Sequence, residues 1–156
     1  MKKLMMALLG MVFLYGCHGF QDVQTVPFTH TGCSRNVETK ASGDPSELLL
    51  RYSSAGLEVT RLNALVNCGF QQDGLKCDVS VMGGVIHYDV SRVDDSVSLK
   101  CLCTVERMSS TVGGLKEGET YYLEYTFCGT VYTPIKITYS KSLDMRLEIE
   151  KYAKEI

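Results

Sequence analysis

Stretch after stretch of this chain puts an apolar side chain on every second residue. Leu75, Cys77, Val79 and Val81 do so, then Val97, Leu99, Cys101, Cys103 and Val105. Tyr121, Leu123, Tyr125 and Phe127 follow, and Val131, Ile135, Ile137 and Tyr139 again take odd positions, with Thr133 interrupting the run. A period of two is that of an extended strand with one buried face, and a helix cannot use it. Leu57 and Val59 are odd while Leu62, Ala64, Val66 and Cys68 are even, so the phase slips, and a β-bulge near Thr60 and Arg61 would account for it. Residues 47–52 and 85–90 supply two further strands. Turn formers separate the runs at 54–56, 71–74, 83–84, 94–96 and 112–118. The expectation is an all-β, antiparallel sandwich of about seven strands over residues 46–156. Residues 142–156 alternate at Leu143, Met145, Leu147 and Ile149, yet Met145, Ile149, Tyr152 and Ile156 share a helical face. A short C-terminal helix from Tyr152 onwards is expected.

The amino end has a different character. Lys2 and Lys3 precede residues 4–15, which contain no charge. Twelve residues make roughly 18 Å of helix, short of the ~30 Å hydrocarbon core, so the run reads as a signal peptide over residues 1–16 and not as a membrane span. It ends in Leu14-Tyr15-Gly16-Cys17, which resembles the lipobox of bacterial lipoproteins, with Tyr15 bulkier than the residue usual at its place. The resemblance implies cleavage before Cys17 and diacylglyceryl transfer to its thiol, and the acyl chains would then anchor the protein to the membrane. Residue 18 is His, not the Asp that resembles an inner-membrane retention signal, which favours the outer membrane. Residues 17–45 read as a polar, lipidated tether, in which Val23, Val26 and Phe28 suit one edge strand.

Removing residues 1–16 leaves 140 residues with 14 basic against 18 acidic side chains, a net charge of −4. That length suits one domain. The charge, and the lack of any Lys/Arg cluster, exclude a nucleic-acid partner. Seven cysteines are present. With Cys17 given to lipid, Cys33, Cys68, Cys77, Cys101, Cys103 and Cys128 remain as disulfide candidates in an oxidising compartment. Cys101 and Cys103 share a strand face and should find different partners. A hairpin closed by residues 71–74 would set Cys68 opposite Cys77, and Cys101 would approach Cys128 if a bulge intervened. A four-cysteine zinc site at Cys68, Cys77, Cys101 and Cys103 is the sharper alternative, with spacings unlike the usual zinc pairs.

No cofactor motif and no catalytic constellation is visible. His87 and Asp89 share a strand face, but no G-x-S-x-G elbow accompanies them. His18 and His30 lie in the tether. Of the nine tyrosines, Tyr121, Tyr125 and Tyr139 take inward positions, and Tyr122, Tyr88 and Tyr132 remain as outward candidates for a stacking surface.

Leu115-Lys116-Glu117-Gly118-Glu119-Thr120-Tyr121 resembles the tyrosine corner of fibronectin type III and related Ig-like sandwiches, with Glu117 where Pro is usual. The resemblance implies that Leu115, Gly118 and Tyr121 fix the entry to a central strand, with the Tyr hydroxyl bonded to backbone. More broadly, residues 48–125, with Val59-Thr60, Asn63-Ala64, Asn67-Cys68 and Cys101-Leu102-Cys103, resemble small secreted lipoproteins of Bacteroides-type bacteria. This implies an address and a fold but no activity. The function expected is that of a non-enzymatic cell-envelope lipoprotein, an interaction module for an envelope protein or a glycan. The alternative is an envelope hydrolase, or a redox or metal-binding protein, whose site only the fold assembles.

Overall fold

The computed structural model of the protein describes residues 23–34, 44–69, 74–94 and 101–154. Cys17 and His18, the turn residues 71–73, and Asp95, Val97 and Leu99 lie outside the described residues. In chain order the strands are β1 (Gln24–Thr25), β2 (Phe28–His30), β3 (Cys33–Ser34), β4 (Glu47–Ser53), β5 (Gly56–Asn67) and β6 (Leu75–Met82). They continue as β7 (Val85–Arg92), β8 (Leu102–Val112), β9 (Thr120–Phe127), β10 (Thr130–Val131), β11 (Ile135–Thr138) and β12 (Asp144–Glu148).

These strands form an all-β sandwich of two sheets. The first has the order β1-β6-β7-β9-β10, with β11 also on β9, and the second β12-β4-β5-β8-β2, with β3 also on β8. Among the described residues every strand pairing is antiparallel except β7 with β9. The exception follows from the chain path: β7 is followed by β8, which belongs to the other sheet, so the next strand back in the first sheet runs the same way as β7. β7, and not β6, therefore lies beside the corner strand β9.

The alternation explains the core. Leu48, Leu50, Leu57, Val59, Val105 and Met108 from the second sheet face Val79, Ile86, Val90, Leu123, Tyr125 and Phe127 from the first, all buried. Each such side chain contributes about 1.5–3 kcal/mol by leaving water. Polar links also run between the sheets. The Tyr88 hydroxyl lies 2.6 Å from Ser110 Oγ, and Arg61 reaches the Tyr132 hydroxyl. At the β4/β5 turn Gly56 has φ +142°, and a Cβ there would collide with the Val112 carbonyl, so only glycine fits.

The phase slip lies two residues later than the expected bulge. Leu57, Val59 and Arg61 face inward, then Ala64 and Val66, and between them Asn63 takes φ +52°. Leu62 stands opposite Arg107 and Ala64 opposite Val105, so one residue faces one residue and there is no two-against-one bulge. β8 changes phase at the same place, from Cys103 and Val105 to Met108, Ser110 and Val112. Asn tolerates the left-handed conformation better than most residues, and the two strands turn over together.

The carboxyl end also differs from expectation. β12 completes the edge of the second sheet against β4, and a 3-10 turn covers Ile149–Tyr152. The helical turn therefore ends at Tyr152 instead of starting there, because Ile149 is drawn into the core and its N–H bonds to the Ser46 carbonyl. At the other end, β1 pairs with β6 while β2 and β3 pair with β8. Residues 23–34 thus edge both sheets, where the sequence suggested one strand in a tether.

Candidate functional site

The cysteines come together at the start of β8. Cys33 is bonded to Cys103 and Cys68 to Cys101, with Cα separations of 5.7 and 5.6 Å. Cys101 and Cys103 do take different partners, but neither expected pairing forms. The expected Cys68–Cys77 bridge assumed that β5 and β6 form a hairpin. They lie in different sheets, and Cys68 instead continues the β5/β8 ladder, its N–H bonding to the Cys101 carbonyl at 3.1 Å. The Cys101–Cys128 pairing fails for the same reason, since Cys128 follows β9 in the first sheet. Cys77 and Cys128 belong to neither disulfide. With Cys68, Cys101 and Cys103 bonded in this way, the four-cysteine zinc alternative is not assembled. Among the described residues no group of three or more His, Cys, Asp or Glu side chains is placed to hold a metal ion.

Cys77 is fully buried, beside Tyr88 and Ser110. Burial pushes its thiol up to about 11, against the pull of hydrogen bonding to Tyr88 and Ser110. It stays protonated near neutrality, which is the inert form.

Arg61 was missed by the sequence reading. Its side chain is 5 % exposed, and its guanidinium donates to Ser46 Oγ at 3.2 Å, the Tyr132 hydroxyl at 3.0 Å and Glu150 Oε1 at 2.8 Å. It also lies 4.6 Å from the Phe127 ring centre and 5.4 Å from that of Tyr132. A buried charge needs this many partners. The signal was present, because extending the odd phase of Leu57 and Val59 by one step puts Arg61 inside.

The outward face of the first sheet carries the polar candidates. His87 and Asp89 alternate outward on β7, but His87 pairs across β9, with Nδ1 2.8 Å from Glu124 Oε2 and both side chains nearly half exposed. Asp89 stands opposite Asp78. Two carboxylates there repel, and the pair resolves the conflict unequally. Thr25 donates to Asp78 at 2.6 Å and Lys76 lies 2.9 Å away, which holds Asp78 below the usual carboxylate range. Asp89 is pushed up, by burial first and then by the Asp78 charge. A cavity of about 190 Å³ adjoins His87, Asp89, Glu124, Thr126, Pro134 and Lys154, smaller than the roughly 300–1,000 Å³ of sites that engulf a small molecule. The arrangement can present charges and hydrogen-bonding groups to a partner.

Tyr122 is exposed, whereas Tyr88 and Tyr132 are buried. Tyr88 shares the inward phase of Ile86 and Val90, and Tyr132 is turned in to meet Arg61, so the outward tyrosine set reduces to Tyr122. At the corner, Tyr121 is buried. Its hydroxyl accepts the Lys116 N–H at 3.0 Å and donates to the Glu119 carboxylate at 3.1 Å. Gly118 has φ +86° and its N–H bonds to the Tyr139 carbonyl, while Leu115 packs on the core edge. His30 lies exposed on β2.

No protein-family description, curated protein or solved structure matches this chain.

Proposed function

We propose that the protein is a cell-envelope lipoprotein, held in the outer membrane by lipid on Cys17, whose sandwich is a non-enzymatic binding module for another envelope protein or a glycan. The observation that supports this best is the pair of disulfides at the start of β8. Such bonds persist in an oxidising compartment, to which a cationic start, a charge-free run and a lipobox-like Leu14-Tyr15-Gly16-Cys17 would send the chain. The resemblance to small secreted Bacteroides-type lipoproteins agrees, and His18 in place of Asp favours the outer membrane. The binding role is supported by the outer face of the first sheet, where His87, Glu124 and Thr126 line an open cavity. A hydrolase reading would begin from His87, whose ring is engaged by Glu124 on a solvated strand face, and it gains nothing from that geometry.

Fractionation and capture test the proposal together. Wild-type protein is expected in the outer-membrane fraction, cross-linking to one envelope protein or polysaccharide, and Cys17→Ser outside it. Recovery of Cys17→Ser in that same fraction, carrying the same load, would contradict the anchor.

A further inference from the structure

We infer that the Gly83-Gly84 end of the first sheet is a membrane-contact surface, its exposed apolar side chains resting in the headgroup region of the bilayer that holds the Cys17 lipid. The inference deepens the lipoprotein reading and rests on it.

At this end Met82 stands opposite Val85, Val85 beside Tyr122, and Tyr122 beside Lys136. One outward row therefore crosses four strands. Met82 and Tyr122 are each 48 % exposed, and Val81 at the same strand end is 41 % exposed. Gln24 stands opposite Val79, so the next position of that ladder puts Val23, 62 % exposed, beside Ser80 and one residue short of Val81. Single exposed apolar residues are ordinary, but a contiguous group marks a contact. The row also has the composition of a bilayer interface, with a tyrosine at headgroup depth and a lysine able to lay its stem on the apolar row and its ammonium among phosphates.

The chain path selects lipid as the occupant. β1 is antiparallel to β6, so its amino-terminal side, at Val23, lies towards the Val81 and Met82 end of β6. Six residue-to-residue steps separate Cys17 from Val23 and span at most roughly 20 Å when fully extended. The eight residues of β6 cover about 26 Å. The near end is therefore within reach of the anchor with length to spare, and the far end only at close to the full span. Tethering raises the local concentration of the bilayer, so a patch too small to bind alone makes contact once the anchor is in place.

The chain contains no tryptophan, so one introduced indole reports one position. Tyr122→Trp and Met82→Trp would be made in the full lipoprotein, which is reconstituted into phosphatidylethanolamine–phosphatidylglycerol vesicles with brominated acyl chains. Palmitate labelling of Cys17 is read on the same samples. Both indoles are expected to be quenched severalfold more than that of Val93→Trp, an exposed apolar position just past the opposite end of β7. Equal quenching at all three positions, or none at 82 and 122 in protein whose Cys17 carries lipid, overturns the contact surface and leaves the anchor standing. Absence of lipid on Cys17 overturns both.

Discussion

The guanidinium of Arg61, buried in the second sheet, meets the exposed carboxylate of Glu150 at 2.8 Å on the 3-10 turn Ile149–Tyr152. The same group reaches Tyr132 beyond β10, so one side chain ties the carboxyl-terminal turn and the first sheet to β5. Arg61→Met keeps the stem but strands the Tyr132 hydroxyl, and should cost about 2–4 kcal/mol. Glu150→Gln, which keeps a neutral acceptor at the surface, should cost about 1 kcal/mol. Urea unfolding of the two variants gives the comparison. A loss at Glu150 as large as that at Arg61 would show that the exposed carboxylate, and not the buried network, holds the turn.

Tyr121 and Tyr122 are neighbours with opposite fates, one buried and bonded to Lys116 N–H, the other on the surface. Tyr121→Phe removes that acceptor and is expected to cost about 1 kcal/mol, or somewhat more if the Lys116 N–H finds no water. Tyr122→Phe should stay within about 0.5 kcal/mol of wild type. Equal losses in chemical denaturation would deny Tyr121 its role at the corner.

Asp89 gives a pH-dependent expectation. Its folded-state pKa is raised by burial and by Asp78, so above the ordinary carboxylate pKa of about 3.9 the unfolded state holds fewer protons and folding loses stability as pH rises. The penalty is therefore larger at pH 7 than near the ordinary carboxylate pKa. Asp89→Asn should therefore stabilise the protein at pH 7 by a few tenths of a kcal/mol up to about 1 kcal/mol, with the gain shrinking towards pH 3.5. Stability curves at the two pH values test this, and a gain that grows on acidification would reverse the assignment.

The disulfides close loops with sequence separations of 70 and 33 residues. In the chain-entropy account each contributes about 4 kcal/mol, the longer loop slightly more. Paired substitution to alanine, Cys33 with Cys103 or Cys68 with Cys101, should lower stability by that order, and non-reducing peptide mapping should recover these two links. Recovery of a Cys68–Cys77 peptide would show that β5 and β6 are hairpin neighbours after all.

The period-two pattern made the strands legible, because burial on one face leaves its mark on every second residue. Tyr121, Leu123, Tyr125 and Phe127 are all buried, as are Leu75, Cys77 and Val79. Which strands neighbour each other was not legible. Nothing local distinguishes a β5–β6 hairpin from a crossing between sheets, and the cysteine pairing depended on that difference. Arg61 was hidden because a charged residue was read as the point where the buried face had ended. Its cation is held by Tyr132 and Glu150, which lie 71 and 89 residues away in sequence, beyond the reach of any local pattern. The 3-10 turn at Ile149–Tyr152 was hidden in the same way, since its position follows from Ile149 entering the core.

What Cys17 carries decides whether the protein is a lipoprotein. Intact-mass and fragment-ion measurement of the mature amino terminus, from protein purified out of its own membrane, addresses it directly. A chain beginning at Cys17 whose first residue bears a diacylglyceryl group is the expected result. An unmodified chain beginning at any other residue would contradict it.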